Sequence, residues 1–298
     1  MRTSTIEAAG SRIRVIEEGD GPNAVLFVHG VGGWAENWQE AMASVAASGR
    51  RAVAFDLPGF GESTPVKGAR YFDPLDPFYP AVVDGVRRAL GLDRPHLAGH
   101  SLGGGIAAVT SIVHPDAWRS VTLVSPGGFG RDIALFLRLF SLPLLGLTTW
   151  LPRPKSMGRA VLESCFHDPA RIPTHLYAEN ERYDRTYPET LRVMRAVATL
   201  RGVRPELRAA WLARAGAYRG PVLVVWGRED GIVPASDLVA LRKSYPAAET
   251  VTIPEAGHLV MPEQPAAFAA AFIPFLDRAE RDDGGARTMV SGVAHQER

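Results

Sequence analysis

Residues 95–108 read PHLAGHSLGGGIAA, and the change of pattern within them decides the fold. Positions 95–98 have the makings of a buried strand, and Gly104, Gly105, Ile106, Ala107 and Ala108 open a closely packed helix. Between them stands Gly99-His100-Ser101-Leu102-Gly103, a GxSxG match in the one context that gives it meaning: strand, sharp turn, helix. So tight a turn strains its central residue and presses strand against helix, so the positions two before and two after must be nearly free of side chain. Gly99 and Gly103 satisfy that demand. The geometry lifts the Ser101 hydroxyl clear of the sheet and aims the first amides of the helix at the space where an oxyanion would form.

A serine hydroxyl needs a base, and the base needs an orienting carboxylate. The run PVLVVW at 221–226 reads as a buried parallel strand, and the loop after it holds Asp230. A second strand-like run at 250–253 leads into Pro254-Glu255-Ala256-Gly257-His258. Open α/β sheets bind ligands outside the carboxyl ends of their strands, and Ser101, Asp230 and His258 all fall at such ends, in the order serine, acid, histidine.

These residues resemble the α/β-hydrolase superfamily, in its serine-nucleophile, cap-bearing, esterase-like branch, over roughly residues 4–277. His29-Gly30-Val31-Gly32-Gly33 after the apolar run 24–28 is similar to that family's oxyanion loop. Asp56-Leu57-Pro58-Gly59-Phe60-Gly61-Glu62-Ser63 after 52–55 is similar to its DxPGxGxS segment. The resemblance implies that the backbone N–H groups of Val31 and Leu102 form an oxyanion hole, and that Trp34 and Trp38 begin the helix between those strands. It also implies the fold: a mostly parallel central sheet with helices on both faces, and an inserted helical cap.

The other titratable residues have plainer readings. His29 braces its loop, and His96 and His114 are structural. His100 either lines the pocket or packs behind the turn. His167, His175 and His295 lack motif context. Asp56 is expected to hold its Pro-Gly turn by accepting nearby amides. The loop after residue 124, Ser125-Pro126-Gly127, offers no carboxylate, which leaves Asp230 as the acid.

Among 298 residues, 46% hydrophobic, there is material for one large α/β domain with an insertion. A net charge of +1 leaves no electrostatic footprint for nucleic acid. With one cysteine, Cys165, no intrachain disulfide forms, and no residue set suggests a metal or other cofactor. The N-terminus has no signal-type apolar region and begins a hairpin-like pair with residues 12–17, so the expected location is cytoplasmic. No run makes a stable membrane span.

The chain divides into a core, 1–126 and 218–278, a helical cap at 127–217, and a disordered tail at 279–298. Asp76 is the expected N-cap of the helix before the elbow, with Pro77 in its first turn and Gly91 closing it. The cap pattern shows helices and prolines but no strand, and Arg192, Arg195, Arg201 and Arg204 read as one solvated, ion-paired helix. The apolar run 133–145 packs the cap, with some of Phe136, Leu139 and Phe140 lining an acyl pocket; His100 and Leu259 flank the catalytic residues.

The expected activity is cofactor-independent hydrolysis of a small-molecule carboxylic ester of mainly apolar character, through a Ser101–His258–Asp230 acyl-enzyme mechanism. The alternatives are a meta-cleavage-type carbon–carbon hydrolase, an acyltransferase or perhydrolase, and a triad-bearing ligand receptor. The carbon–carbon hydrolases typically have Asn before the nucleophile and Trp after the histidine, where this chain has His100 and Leu259. Substrate, acyl length and oligomeric state are open at this level.

Overall fold

The apolar runs pair into one eight-stranded sheet in the computed structural model, which describes residues 1–73, 77–148 and 155–293. In chain order the strands are β1 (Arg2–Ala8), β2 (Ser11–Glu18), β3 (Ala24–Val28), β4 (Arg51–Phe55), β5 (His96–His100), β6 (Val121–Val124), the short β7 (Ala198–Thr199) and β8 (Gly202–Val203), β9 (Val222–Gly227) and β10 (Glu249–Ile253). The large sheet has the order β1-β2-β4-β3-β5-β6-β9-β10. Its first two pairings, β1 with β2 and β2 with β4, are antiparallel, and the rest are parallel. Strands covered on both faces read as continuous apolar runs, and β3, β5, β6 and β9 are buried at every position.

Side chains alternate across each strand, so the sheet feeds two cores. The helices are α1 (Gln39–Ala47), α2 (Phe78–Ala89), α3 (Leu102–Val113), α4 (Leu135–Phe140), α5 (Lys155–Ser164), α6 (Thr174–Arg182), α7 (Tyr187–Val197), α8 (Pro205–Leu212), α9 (Leu238–Ser244), α10 (Val260–Glu263) and α11 (Pro265–Val293). Val25 and Phe27 pack with Trp38, Phe268, Phe272 and Phe275 beside α1 and α11. Leu26 and Val28 pack with Tyr79, Val82, Val86 and Ile106 from α2 and α3. Pro77 is the N-cap of α2 rather than part of its first turn, Leu90 ends the helix beside Gly91, and Asp76 lies outside the described residues.

Between β6 and β9 the chain leaves the sheet for α4 to α8. The expected absence of strands there needs correction: β7 and β8 form an antiparallel ribbon, with two residues in each strand, too short to show alternation in sequence. Arg192 on α7 pairs with Glu189 at 2.7 Å, but Arg201 lies in the ribbon turn and Arg204 caps α8, so the four arginines do not share a helix.

The segment expected to be a disordered tail is helical as far as Val293. Glu280 accepts from Arg50 at 2.8 Å and contacts His96 at 3.1 Å, so long-range ion pairs hold α11 at the start of that segment. Burial pushes the Glu280 carboxyl up, but His96 and Arg50 outweigh it and bring it to about 2. Among the described residues no helix is long and apolar enough to cross a membrane.

Candidate active site

Ser101 joins β5 to α3 with φ +55° and ψ −119°, a conformation that L-residues rarely adopt. A Cβ on Gly99 would stand 2.1 Å from the Gly103 carbonyl oxygen, and one on Gly103 would stand 2.3 Å from that of Val28. Neither glycine can be replaced without prising the helix from the sheet. The Ser101 carbonyl accepts N–H groups from Gly105 and Gly127 at 3.1 and 2.9 Å, which fixes the turn from behind. The Leu102 N–H is the first of α3 and has no helical acceptor.

The loops after β9 and β10 bring Asp230 to His258, with Oδ2 accepting from Nδ1 at 2.8 Å. Oδ1 of the same carboxylate accepts the N–H groups of Ile232 and Val233, each at 2.9 Å. Burial pushes the Asp230 carboxyl up, but the His258 interaction and the two backbone donors outweigh it and hold the pKa below the ordinary value. With Nδ1 donating to Asp230, Nε2 is the imidazole atom left to accept a proton.

Two contacts invisible in the sequence reading fix the histidine loop. The Cys165 carbonyl accepts N–H groups from His258 and Leu259 at 2.8 and 3.0 Å. Glu263, 4% exposed, accepts from Gly257 at 2.6 Å and from Asp168 at 2.8 Å, joining the histidine loop to the insertion. A carboxylate set in the apolar stretch just after His258 was the one available signal. Burial first, and Asp230 second, push the Cys165 thiol up to about 12, so it stays protonated at neutral pH.

His100 borders a cavity it shares with Ser101 and His258, and its Nε2 donates to the His258 carbonyl at 2.9 Å, with the two rings 4.6 Å apart. Burial, then repulsion from His258, holds its pKa well below the ordinary value, so it is neutral. His29 donates from Nδ1 to the Gly30 carbonyl at 2.7 Å and accepts the Leu57 N–H at Nε2 at 2.9 Å. Burial lowers its pKa to about 4. Asp56 accepts from Ala35, Glu62 and Arg14 at 2.8, 2.9 and 3.2 Å. A Cβ on Gly61, which has φ +53°, would fall 2.1 Å from that carboxylate.

Ser101 and Val31 stand where two cavities meet. One, with about 880 Å³ of non-atom space including its open part, runs along α3 past Gly105, Ala108 and Ile112, under Leu137 and Trp211 of the insertion. The other, about 710 Å³, contains His100, His258, Leu259, Phe136, Phe140 and Thr190. Leu139 borders neither and is 41% exposed. Residues 136, 137 and 140 share the inward face of α4, and residue 139 falls outside it.

The family model for the alpha/beta hydrolase fold matches residues 23–265. The dihydrolipoyllysine-residue acetyltransferase component of an acetoin cleaving system from Cupriavidus necator is 31% identical over 259 residues, 86% of this chain and 64% of that protein. The chain thus spans less than two thirds of that relative's length. The 2-hydroxy-6-oxo-6-phenylhexa-2,4-dienoate hydrolase of Burkholderia cepacia is 28% identical over 272 residues, 89% of this chain and 91% of its own. A bacterial membrane phospholipase A superposes with a TM-score of 0.75 at 24% identity, over 94% of this chain and 86% of its own. Strand order, elbow geometry and the family match agree: the chain belongs to the α/β-hydrolase family.

Proposed function

We propose that the protein is a serine hydrolase cleaving carboxylic esters of mainly apolar character. The observation that carries this reading is Ser101 on a strained elbow, bordering one cavity together with His258, itself paired with Asp230, and bordering a second, apolar cavity as well. Ser101 Oγ attacks the ester carbonyl while His258 Nε2 takes its proton. The carbon–oxygen bond to the alcohol breaks, and His258 returns the proton to the leaving oxygen. Water then attacks the acyl-enzyme by the same proton route, giving the acid and free Ser101. The N–H groups of Val31 and Leu102 bind the developing oxyanion, a contribution of about 2.7–4 kcal/mol for one such donor. Asp230 holds the imidazole tautomer and stabilises its cation.

Carbon–carbon cleavage is the second reading, favoured by the dienoate hydrolase among the relatives. Against it stands Leu259, buried beside His258, which can neither donate a hydrogen bond nor stack on a conjugated chain. The expected kcat/KM for a medium-chain p-nitrophenyl ester exceeds that for a 2-hydroxy-6-oxo-dienoate by at least about tenfold. Ser101→Ala should stay folded and lose about 10⁴ to 10⁶ in kcat. The reverse substrate order would overturn the ester reading. Labelling of Ser101 by a fluorophosphonate without turnover of either class would favour a ligand receptor, and an acyl acceptor that outcompetes water would favour acyl transfer.

A further inference from the structure

The two cavities meeting at Ser101 have unequal access to His258: it borders the cavity that holds Phe136 and Phe140 and is absent from the walls of the one along α3. That asymmetry decides which part of an ester goes where. The group that protonates the leaving oxygen must stand beside it, so the alcohol belongs on the His258 side. The acyl chain is left with the cavity along α3. From Ser101 to Ile112 the helix axis advances about 16 Å, the length of an extended alkyl chain of about twelve carbons. The wall along this path is made of Leu102, Gly105, Ala108, Val109 and Ile112; among the residues that border the cavity there is no carboxylate and one cation, Arg208 on α8. A wall of this apolar character favours alkyl chains.

We propose that α3 is a chain-length gauge for straight acyl groups of about eight to twelve carbons, with Ala108 the residue that lets the longer ones pass. This rests on the ester reading above. Ala108 lies seven residues from Ser101, about 10.5 Å along the axis, level with the eighth carbon of an extended chain. Gly105 is nearer the serine, but a Cβ there would stand 2.8 Å from the Gly127 carbonyl, so substitution would disturb the elbow itself. Ala108 is the next small wall position along the helix.

The test is a series of p-nitrophenyl esters from acetate through butyrate and octanoate to dodecanoate, with wild type, Ala108→Leu, Ala108→Val and Phe136→Ala. Wild-type kcat/KM should rise at least about tenfold from butyrate to octanoate, since one methylene in an apolar pocket is worth about 10- to 200-fold at its largest. In Ala108→Leu the ratio of dodecanoate to butyrate kcat/KM should fall at least about tenfold. Ala108→Val should shift it in the same direction and serves where the leucine variant does not fold. A flat wild-type profile up to octanoate, or an equal fall at every chain length in the Ala108 variants, overturns the gauge while leaving ester hydrolysis standing. A profile that moves with Phe136→Ala and ignores Ala108 places the chain in the other cavity and overturns it as well. Absence of turnover on every ester, acetate included, overturns the gauge together with the ester reading.

Discussion

The sheet and the insertion contribute to the site in different ways. Ser101, Asp230 and His258 sit at the ends of β5, β9 and β10, held by backbone geometry and short hydrogen bonds. Phe136, Leu137 and Trp211 come from α4 and α8 of the insertion and meet the site as packing surfaces. Rigid strand ends can hold reacting atoms to fractions of an ångström, whereas helices packed on top can vary in shape without disturbing the chemistry. Sheet residues should therefore govern rate, and insertion residues should govern choice of substrate. The two regions join through the Cys165 carbonyl and through Glu263, which receives one N–H from each.

The sharpest break of that division would be a sheet carboxylate that does not affect rate. Asp230→Asn should fold normally and lose about 10⁴ in kcat, because an amide can hold the imidazole in the wrong tautomer and does not stabilise its cation. Circular dichroism with steady-state kinetics on one p-nitrophenyl ester checks this. A near-wild-type rate in Asp230→Asn, with Asp56→Asn folded but inactive, would transfer the role of acid to Asp56.

A smaller effect concerns how the sheet side keeps the loop after β3 in place. His29 is buried and neutral, with its pKa lowered to about 4 from an ordinary value of about 6.5. The unfolded chain therefore binds this proton at a higher pH than the folded one, and stability is lost as pH falls from about 6.5 towards 4. The full effect is of order 3 kcal/mol. Denaturant unfolding of wild type and His29→Asn at several pH values isolates it, and the wild-type curve should fall more steeply with acid. Parallel curves would remove the claim that His29 is held neutral.

The smallest effect lies in the insertion. Phe140 borders the cavity that contains His258, the side assigned to the alcohol. Phe140→Ala should change the ratio of kcat/KM between aryl and small alkyl esters of one acid by about tenfold, with a smaller change in acyl-length preference. An equal fall for all esters with a lowered melting temperature would mean that Phe140 serves packing alone.

How much of this was legible in the chain follows the same division. Parallel strands buried on both faces leave unbroken apolar runs, so β3, β4 and β9 are visible at nearly their observed length. The elbow is visible because its glycines are dictated by contacts that no side chain tolerates. The insertion was legible only as helical. Which side of α4 faces inward depends on what packs beneath it, and the expected trio of Phe136, Leu139 and Phe140 splits, with Leu139 pointing to solvent. The anchoring of Glu280 was not legible for a related reason: its partner Arg50 is 230 residues away, and local periodicity carries no trace of such a contact.

By itself the sequence determined the apolar runs of the inner strands, the loops at their ends and the three residues placed on them, because these follow from local pattern and from steric demands within a few residues. Only the tertiary structure decided that two cavities meet at Ser101 and that His258 faces just one of them. It also decided that Glu263 and the Cys165 carbonyl hold the histidine loop. These are relations between segments far apart in the chain, set by how whole helices pack over the sheet, and no window of residues contains them.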